Sequence, residues 1–259
     1  MRLEGNTILI TGGTSGIGLQ LAKELLNRDN TVIVTGRDQA KLEAAKKELP
    51  KLQIIRSDVS KLPEIEALHA RVTQEFPALN VLVNNAGVMW TINLHDDERS
   101  LEALTGEIDI NFTGPVRMTK LFLPHLKKQP GAAIVNVTSG LAFVPLPINP
   151  IYCATKAALH SFTLSLRAQL KNTKVQVFEL APPATATDLL GDPNSPDLKG
   201  VSIMKVEDMV AQCLKGLAKD QLEIRPGQAN QLKLMNRVAP EFILGQLSKP
   251  VDRMLEGTK

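Results

Sequence analysis

Tyr152, Lys156 and Ser139 are the residues whose types and spacing can carry chemistry. Tyr152 is the only tyrosine of the chain, it stands four positions before Lys156, and Ser139 lies 13 residues upstream of it. Residues four apart on a helix share one face, so the ammonium can favour the phenolate. An ordinary phenol has a pKa of about 10, and acid/base work near neutral pH requires a decrease of about 3 units, of which one partly exposed lysine supplies about half. The pair therefore predicts a proton-transfer site that needs a second positive charge from a cofactor; a half-buried tyrosine beside a solvated lysine is the alternative.

A glycine-rich turn occupies residues 11–18, directly after an apolar run at residues 7–10 and before a helical pattern at residues 17–27. Glycines in the spacing G-x-x-x-G-x-G allow a sharp turn, close approach of a pyrophosphate to the backbone, and close packing of helix on strand. The turn predicts a dinucleotide, whose oxidised nicotinamide ring would carry the missing charge, whereas a tight turn without a ligand is the alternative. The predicted contacts in this turn are Gly12, Thr14, Ser15, Gly16, Ile17 and Gly18.

The choice between NADP and NAD depends on Gly36, Arg37 and Asp38, which follow the second strand-like run. This is the place where a dinucleotide fold contacts the adenosine ribose. Gly36 offers no carboxylate to a ribose 2′-hydroxyl, whereas Arg37 can pair with a 2′-phosphate. The sequence therefore favours NADP. NAD stays the alternative, because Arg37 can also be an ordinary surface arginine and Asp38 lies beside it.

Composition restricts the class of protein. The chain has 259 residues, 43% of them apolar, and a formal net charge of +3. This length suits one α/β domain, and basic residues that cluster only in pairs argue against a nucleic-acid partner. The amino terminus leads straight into a strand-like run and no apolar stretch approaches about 18 residues, so we expect a soluble cytoplasmic protein. Two cysteines and four histidines without ligand spacing predict no metal site.

Short β-branched runs alternate with longer helical patterns along the chain. Such alternation predicts a parallel sheet covered by helices on both faces. We therefore predict an α/β fold with a Rossmann-like doubly wound parallel sheet flanked by helices, in a single domain over residues 1–259. The predicted strands are residues 7–10, 31–34, 53–55, 80–83, 133–137 and 175–178, and the predicted helices are residues 17–27, 39–49, 63–76, 100–128 and 152–171.

Taken together, these residues resemble the short-chain dehydrogenase/reductase family over almost the whole chain. Residues 137–143 and 223–230 are most similar to the DltE-like oxidoreductases of that family. The resemblance implies that the adenine contacts Asp58 and Val59. Besides the glycine turn, the matching motifs are Asp58-Val59, Asn84-Asn85-Ala86-Gly87, Asn111, Ser139, Tyr152 and Lys156, and the cofactor contacts implied among them are Asp58, Val59, Asn85, Ala86, Gly87, Tyr152 and Lys156.

The same resemblance implies a reaction in which hydride passes between the nicotinamide and a carbon that bears oxygen. Tyr152 would deliver or remove the proton on that oxygen, and Ser139 would hydrogen-bond to the oxygen as charge develops. Lys156 would hold the nicotinamide ribose and lower the pKa of the phenol, while Asn111 would support a proton-relay water. Taken singly, Ser139, Asn111 and Asp58 can also be turn, helix or loop-capping residues.

One departure from the family lies after the sixth strand, where residues 182–187 read P-P-A-T-A-T. The family usually has Pro-Gly here, followed by a threonine that holds the carboxamide. Thr187 occupies the place of that threonine, and Pro182 and Thr185 are further predicted contacts. Pro183 has no N–H and fixes its own φ, so we expect an altered path towards a substrate lid at residues 188–204.

The carboxyl-terminal part of the chain also departs from the family. We expect the family's late glycine-rich strand to be missing and residues 223–230 to replace it, within a C-terminal extension at residues 223–259. Apolar runs at residues 232–235 and 242–244 favour docking on the core or on a second subunit, and a membrane contact is the weaker alternative. We therefore expect a homo-oligomer, a dimer or a tetramer.

The predicted substrate is a small apolar molecule with a carbonyl or secondary alcohol group. Its expected lining is mostly apolar and has no obvious anion clamp. The sequence thus predicts an NAD(P)-dependent oxidoreductase with NADP preferred; the alternative is a non-catalytic NADP-binding sensor or scaffold. The expected lining comprises Val88, Met89, Trp90, Leu141, Phe143 and residues 189–204.

Overall fold

Parallel β-strands form the centre of the protein, whose computed structural model describes residues 1–192, 195–198 and 200–256. Every neighbouring pair of strands is parallel. Within the described ranges the strands are β1 (Thr7–Thr11), β2 (Thr31–Gly36), β3 (Gln53–Arg56), β4 (Leu79–Asn84), β5 (Ala132–Val137), β6 (Val175–Leu180) and β7 (Glu223–Ile224).

The helices lie on both faces of this sheet. Over the same ranges they are α1 (Gly16–Leu26), α2 (Gln39–Glu48), α3 (Leu62–Glu75), α4 (Leu101–Ile108), α5 (Gly114–Leu126), α6 (Pro150–Gln169), α7 (Val206–Ala218), α8 (Gln228–Val238) and α9 (Pro240–Glu256). None of the helices in the described part of the chain combines the length and apolar character that crossing a membrane requires.

The strands bury apolar side chains on both faces, which is why their sequences are almost continuously apolar. In β1, Ile8 and Ile10 belong to one apolar cluster and Leu9 to another on the opposite face. All three side chains are fully buried. The two clusters explain why strands of this sheet do not alternate between apolar and polar residues.

The strand order β3-β2-β1-β4-β5-β6-β7 places the first and fourth strands side by side. The chain moves outward from β1 to β3 on one side and from β4 to β7 on the other. The carboxyl ends of β1 and β4 therefore meet where the winding reverses, which is the place where doubly wound sheets bind ligands. The predicted doubly wound fold is confirmed.

The predicted helix at residues 100–128 is wrong in one respect. The structure divides it into α4, a π-helical turn at Asp109–Thr113, and α5. A Cβ on Gly114, the first residue of α5, would lie 2.8 Å from the carbonyl oxygen of Val59. This close approach is possible only for glycine. Asn111 lies within the π-helical turn and is fully buried.

The carboxyl-terminal part of the fold contains elements that the sequence did not predict. The segment at residues 223–230, expected in place of a glycine-rich strand, begins with the two-residue β7, which pairs with β6 through Glu179 and Leu180. Helix α7 was not predicted, and the apolar runs at residues 232–235 and 242–244 lie in α8 and α9. Parts of the predicted lid (residues 193, 194 and 199) and of the C-terminal extension (residues 257–259) lie outside the described residues.

Candidate active site

A cavity of about 960 Å³ opens above the carboxyl ends of the strands. Its wall brings together residues from the first half of the chain and from its last helix. Two predicted site residues, Gly18 and Asn111, are not part of the wall. The predicted site residues that line it are Gly12, Thr14, Ser15, Gly16, Ile17, Arg37, Asp58, Val59, Asn85, Ala86, Gly87, Ser139, Tyr152, Lys156, Pro182, Thr185 and Thr187.

The glycine turn after β1 presents bare backbone to this cavity. Gly12 and Gly16 have φ values of +65° and +51°, a region that glycine occupies without strain. A Cβ on Gly12 would lie 2.7 Å from the Cα of Ala86. The turn and the Ala86 segment therefore approach each other as closely as two backbones can, and they form a cradle that suits a pyrophosphate.

Thr11 and Asn85 hold that cradle together. The Oγ1 atom of Thr11 accepts hydrogen bonds from the backbone N–H groups of Asn85 (3.0 Å) and Ala86 (3.1 Å). The Asn85 side-chain amide donates to the carbonyl oxygens of Thr11 (3.0 Å) and Gly12 (2.9 Å). Gly18 lies behind this clamp, because a Cβ there would clash with the Gly12 carbonyl and lie 2.5 Å from Asn85 Nδ2. Gly18 thus supports the cradle without lining it.

At the adenosine end, the structure places Lys41 beside Arg37 in the cavity wall. Asp38, the acidic neighbour that kept NAD open, caps α2 by accepting from the Lys41 backbone N–H at 3.1 Å. A Cβ on Gly36 would lie 2.9 Å from the Thr14 Cγ2 atom, so a larger side chain does not fit there. Arg37 and Lys41 therefore offer two positive charges to a ligand here, whereas the Asp38 carboxylate is already used in capping α2. The sequence analysis did not predict Lys41 as a site residue, although its position four residues after Arg37 was a signal for it.

Asp58 lines the cavity and also caps a turn. Its Oδ1 atom accepts from the backbone N–H (2.9 Å) and the hydroxyl (2.8 Å) of Ser60. Asp58 is therefore a loop cap that also lines the cavity, and its contact with the adenine stays a prediction.

Tyr152 and Lys156 lie one turn apart near the start of α6, and their residues are 5% and 3% exposed. The Lys156 Nζ atom lies 5.6 Å from the centroid of the Tyr152 ring and donates to the carbonyl oxygen of Val137 at 2.9 Å. The half-buried tyrosine with a solvated lysine, which was the alternative, is wrong, because both side chains are buried in the cavity wall.

Burial reverses the pKa shift that the sequence predicted for the phenol. It raises the pKa of Tyr152 to about 12, and a hydrogen bond with the Ser139 hydroxyl lowers that pKa only in part. Burial also lowers the pKa of Lys156 to about 8. Loss of hydration therefore dominates the pKa of both groups in the protein alone, and the lowering of the phenol pKa expected from Lys156 stays a prediction. A cationic cofactor beside the phenol would add positive charge that favours the phenolate.

The buried ammonium predicts a pH-dependent stability that Lys156→Met removes. The pKa of Lys156 is 10.5 as a free side chain and about 8 in the folded protein, so between these values the unfolded state binds more protons. Stability then rises with pH, and the full penalty of burying the charge applies below pH 8. In urea unfolding of the ligand-free proteins, the stability of wild type relative to Lys156→Met should rise by about 2 kcal/mol between about pH 7 and about pH 9.5.

The control for this experiment is Lys171→Met, which removes an exposed lysine just beyond the end of α6. It should show no such pH dependence. A stability difference between wild type and Lys156→Met that stays constant across the range would contradict a buried, charged Lys156.

Ser139 caps the short 3₁₀ turn that follows β5. Its Oγ atom accepts from the backbone N–H of Leu141 at 3.1 Å, and it retains its own proton to donate. The preceding residue, Thr138, donates its hydroxyl to the buried carboxylate of Glu179 at 2.7 Å, and His160 Nδ1 lies 2.8 Å from the same carboxylate. These contacts hold the end of β5, and with it the Ser139 hydroxyl, opposite α6.

Asn111 lies behind the cavity wall and is hydrogen-bonded there to Val88 and Thr155. Its Oδ1 atom accepts from the Val88 N–H at 2.9 Å, and its Nδ2 atom donates to the Val88 carbonyl at 2.8 Å and to the Thr155 hydroxyl at 3.2 Å. A Cβ on Gly87 would lie 3.3 Å from Asn111 Oδ1 and 3.5 Å from Lys156 Nζ. The side chain of Asn111 is thus committed to protein groups, and its predicted role with a relay water stays a prediction.

The segment with two prolines follows β6 along the cavity. The Pro182 carbonyl accepts from the Gly140 N–H at 2.8 Å, which ties the segment to the Ser139 turn. Further on, Ala184 and Ala186 exchange backbone hydrogen bonds of 2.9 Å with Met204. These bonds fasten the segment just before the predicted lid, beside Thr185 and Thr187, to Met204, the last residue of the lid.

The substrate end of the cavity is only partly as predicted. Val88, Met89 and Leu141 line it, whereas Trp90 and Phe143 do not. The Trp90 ring lies instead under the Arg99 guanidinium, 5.5 Å away. Residues of the predicted lid and of α9 complete the wall, and no sequence motif indicated the α9 residues. The lid residues are Asp188, Leu189, Leu190, Ser195, Pro196, Leu198, Gly200 and Val201. The α9 residues are Gln246, Leu247, Lys249, Pro250 and Arg253.

Chemically, this arrangement fits a nicotinamide dinucleotide with a small substrate. The bare backbone of the glycine turn, the two cations near Gly36 and the buried phenol lie along one continuous cavity. Over the described residues, no group of three or more histidine, cysteine, aspartate or glutamate side chains could hold a metal ion.

Comparisons with known proteins agree with this geometry. Residues 6–197 match the sequence model of the family described as short chain dehydrogenase. Over 250 residues the chain is 45% identical to a Bacillus subtilis (strain 168) protein named "Uncharacterized oxidoreductase DltE". The matched region covers 96% of this chain and 98% of that protein.

Solved structures give the same result for the fold. A short-chain dehydrogenase from Burkholderia cenocepacia J2315 in complex with NADP has a TM-score of 0.81 and 25% identity, covering 95% of this chain and 99% of that one. A short-chain dehydrogenase/reductase from Burkholderia phymatum in complex with NAD has a TM-score of 0.81 and 22% identity, covering 92% of this chain and 95% of that one. The predicted similarity to DltE-like oxidoreductases is confirmed.

Proposed function

The chain belongs to the short-chain dehydrogenase family of oxidoreductases, and we propose that it transfers hydride between NADP and a carbonyl or secondary alcohol on an apolar molecule, with Tyr152 as general acid and base. The observation that carries this proposal is the shared cavity: Ser139, Tyr152 and Lys156 line the same space as the glycine turn. A protein that only binds a nucleotide needs the glycine turn but not a buried phenol beside a buried ammonium. The comparisons do not support the non-catalytic sensor or scaffold that the sequence left as an alternative.

The proposed chemistry assigns one task to each side chain. When bound, the nicotinamide supplies or accepts the hydride. Tyr152 gives its proton to the substrate oxygen in reduction and takes it back in oxidation. Ser139 donates a hydrogen bond to the same oxygen, since its hydroxyl proton stays available while its oxygen accepts from the Leu141 N–H. Lys156, held by the Val137 carbonyl, supplies positive charge beneath the phenol.

The direct test is NADPH oxidation by the purified protein across a panel of apolar ketones and aldehydes, with the matching secondary alcohols and NADP⁺ for the reverse direction. We expect turnover with a subset of the panel. A protein that binds NADPH but shows no turnover in either direction would contradict the proposed reaction.

Preference for NADP rests on Arg37 and Lys41, which line the cavity near Gly36. Each can make a charge-assisted hydrogen bond to a ribose 2′-phosphate, and NADH has no such group. We expect Arg37→Ala and Lys41→Ala each to weaken NADPH binding by about 10- to 100-fold, which corresponds to about 1.5–3 kcal/mol for a hydrogen bond to a charged group. Binding of NADH should be nearly unchanged.

Dissociation constants for both nucleotides, measured by calorimetry, decide this point. Lys47→Ala is the matched control, because Lys47 is exposed on the same helix and does not line the cavity. If Arg37→Ala binds NADPH as tightly as wild type, or loses NADPH and NADH equally, the assignment of the 2′-phosphate contact is wrong.

We also retain as predictions the lid at residues 188–204, the C-terminal extension at residues 223–259, the cytoplasmic location and the homo-oligomer. The wall formed by α9 supports a part for the extension in substrate binding.

A further inference from the structure

Glu107, in the last turn of α4, is a carboxyl group that the proposed mechanism does not use. The residue is fully buried, as is Glu179. The Glu179 carboxylate has Thr138 and His160 as partners, whereas no lysine, arginine or histidine in the described ranges lies within salt-bridge distance of Glu107. A buried carboxyl without a paired cation costs stability, so its retention requires a reason.

The first oxygen of Glu107 holds the chain segment that follows β4. Its Oε1 atom accepts from the backbone N–H of Trp90 at 2.7 Å. The carbonyl of Trp90 accepts in turn from the side-chain amide of Asn149 at 2.9 Å. Both the backbone N–H and the carbonyl of Trp90 are therefore hydrogen-bonded to side chains. The neighbouring residues Met89 and Thr91 both line the cavity.

The second oxygen lies at the start of α6, the helix that carries Tyr152. Asn149 is the N-cap of this helix, but its side chain makes no cap hydrogen bond; its amide donates to the Trp90 carbonyl. The Glu107 Oε2 atom is buried and has no partner at ordinary hydrogen-bond geometry. The backbone N–H of Tyr152 lies close enough to lower the pKa of this carboxyl in part. A carboxylate at this position faces the unpaired N–H groups and the positive end of α6.

We propose that Glu107 is a positioning residue for Tyr152: its carboxylate holds the Trp90 backbone, which Asn149 ties to the start of α6, and these contacts fix the first turn of the helix that carries Tyr152. This inference rests on the proposed function for the part that concerns turnover. The geometric part stands on the contacts of Glu107 alone.

The charge of Glu107 acts on the phenol in a defined direction. Burial raises the pKa of Glu107, and the nearby Arg99 guanidinium and the backbone N–H groups of Trp90 and Tyr152 lower it in part. Burial is the largest cause of the raised pKa values of Tyr152 and Cys153, and the negative charge of Glu107 raises both pKa values further. The charged or titratable groups that face this cluster are thus Arg99 and its partner Asp97, Tyr152, Cys153, and Lys156 one turn further along α6.

Glu107→Gln separates charge from shape. Glutamine keeps an oxygen for the Trp90 N–H and removes the negative charge, so the phenol should ionise more easily. In the pH profile of kcat we expect a shift towards acid pH of roughly half a unit or more. Glu107→Leu removes the acceptor as well, and we expect kcat to fall about tenfold with the NADPH dissociation constant nearly unchanged.

The sole tyrosine of the chain allows a readout that does not need a substrate. Tyrosinate absorbs in the ultraviolet at longer wavelength than tyrosine, so the spectroscopic titration of the ligand-free protein reports Tyr152 alone. The phenol of wild type should titrate with a pKa of about 12, and that of Glu107→Gln at lower pH. Circular dichroism recorded at each pH separates ionisation from unfolding. Glu102→Gln, an exposed carboxylate on the same helix, is the matched control and should leave the titration unchanged.

Two outcomes would overturn the inference: a phenol titration of Glu107→Gln that superimposes on that of wild type, or a Glu107→Leu protein that is folded and keeps the kcat of wild type. If wild type itself shows no turnover, the proposed function fails, and the phenol titration still decides whether Glu107 acts on Tyr152.

Discussion

Tyr152→Phe is expected to lower kcat for carbonyl reduction by about 10²- to 10⁴-fold, the usual contribution of a positioned general acid. The substitution removes only the hydroxyl. The ring and its contact with the Lys156 ammonium, whose nitrogen lies 5.6 Å from the ring centroid, remain. The NADPH dissociation constant should therefore stay close to that of wild type.

The measurement is steady-state NADPH oxidation by wild type and variant, using a substrate from the panel that wild type reduces. Thermal unfolding and NADPH binding of the variant serve as controls for its integrity. Equal rates in the two proteins would reject Tyr152 as the proton donor. A loss of rate that follows a loss of NADPH binding would assign Tyr152 a binding role in place of an acid role.

Gly18→Ala is expected to have the second large effect, although Gly18 does not line the cavity. An added Cβ would clash with the Gly12 carbonyl and lie 2.5 Å from Asn85 Nδ2, the two groups whose hydrogen bond closes the cradle. Neither is the free end of a flexible side chain, so the backbone has to move. Overpacking of this kind costs about 3 kcal/mol, and a displaced cradle should weaken NADPH binding by about 100-fold or more.

Urea unfolding and calorimetric titration with NADPH check both parts of this prediction. Gly245→Ala is the matched control, because Gly245 is also a helical glycine and a Cβ there would meet nothing within 4 Å. That substitution should leave binding unchanged and raise helix stability slightly. If Gly18→Ala binds NADPH as tightly as Gly245→Ala, the cradle does not depend on the close packing of α1.

The order and type of the elements were largely predictable from sequence. Runs such as residues 32–34 are apolar because strands of a parallel sheet are buried on both faces, and this property belongs to each segment separately. The glycine turn was predictable for a similar reason, because the φ values of Gly12 and Gly16 are a local requirement. The spacing of Tyr152 and Lys156 likewise determines a shared helical face before any tertiary contact forms.

Other features depend on which distant segments meet, and no local pattern contains that information. Gly114, the first residue after the π-helical turn that contains Asn111, packs against the Val59 carbonyl, a contact between residues far apart in sequence. The predicted role of Lys41 depends on its place in the cavity wall with Arg37. The role inferred for Glu107 depends on its contact with the Trp90 segment. The strand β7 is two residues long, too short for any periodicity, and it forms because β6 offers it an edge.

The sequence by itself thus determined the doubly wound sheet, the dinucleotide turn and the set of residues available for proton transfer, since each follows from the residue types within one short segment. Only the tertiary structure decided the sign of the pKa shift of Tyr152, the commitment of Asn111 to Val88, and the closure of the cavity by α9. The physical reason is that hydration is lost collectively: the burial that raises the phenol pKa comes from many segments packed together, and no single stretch of sequence records it.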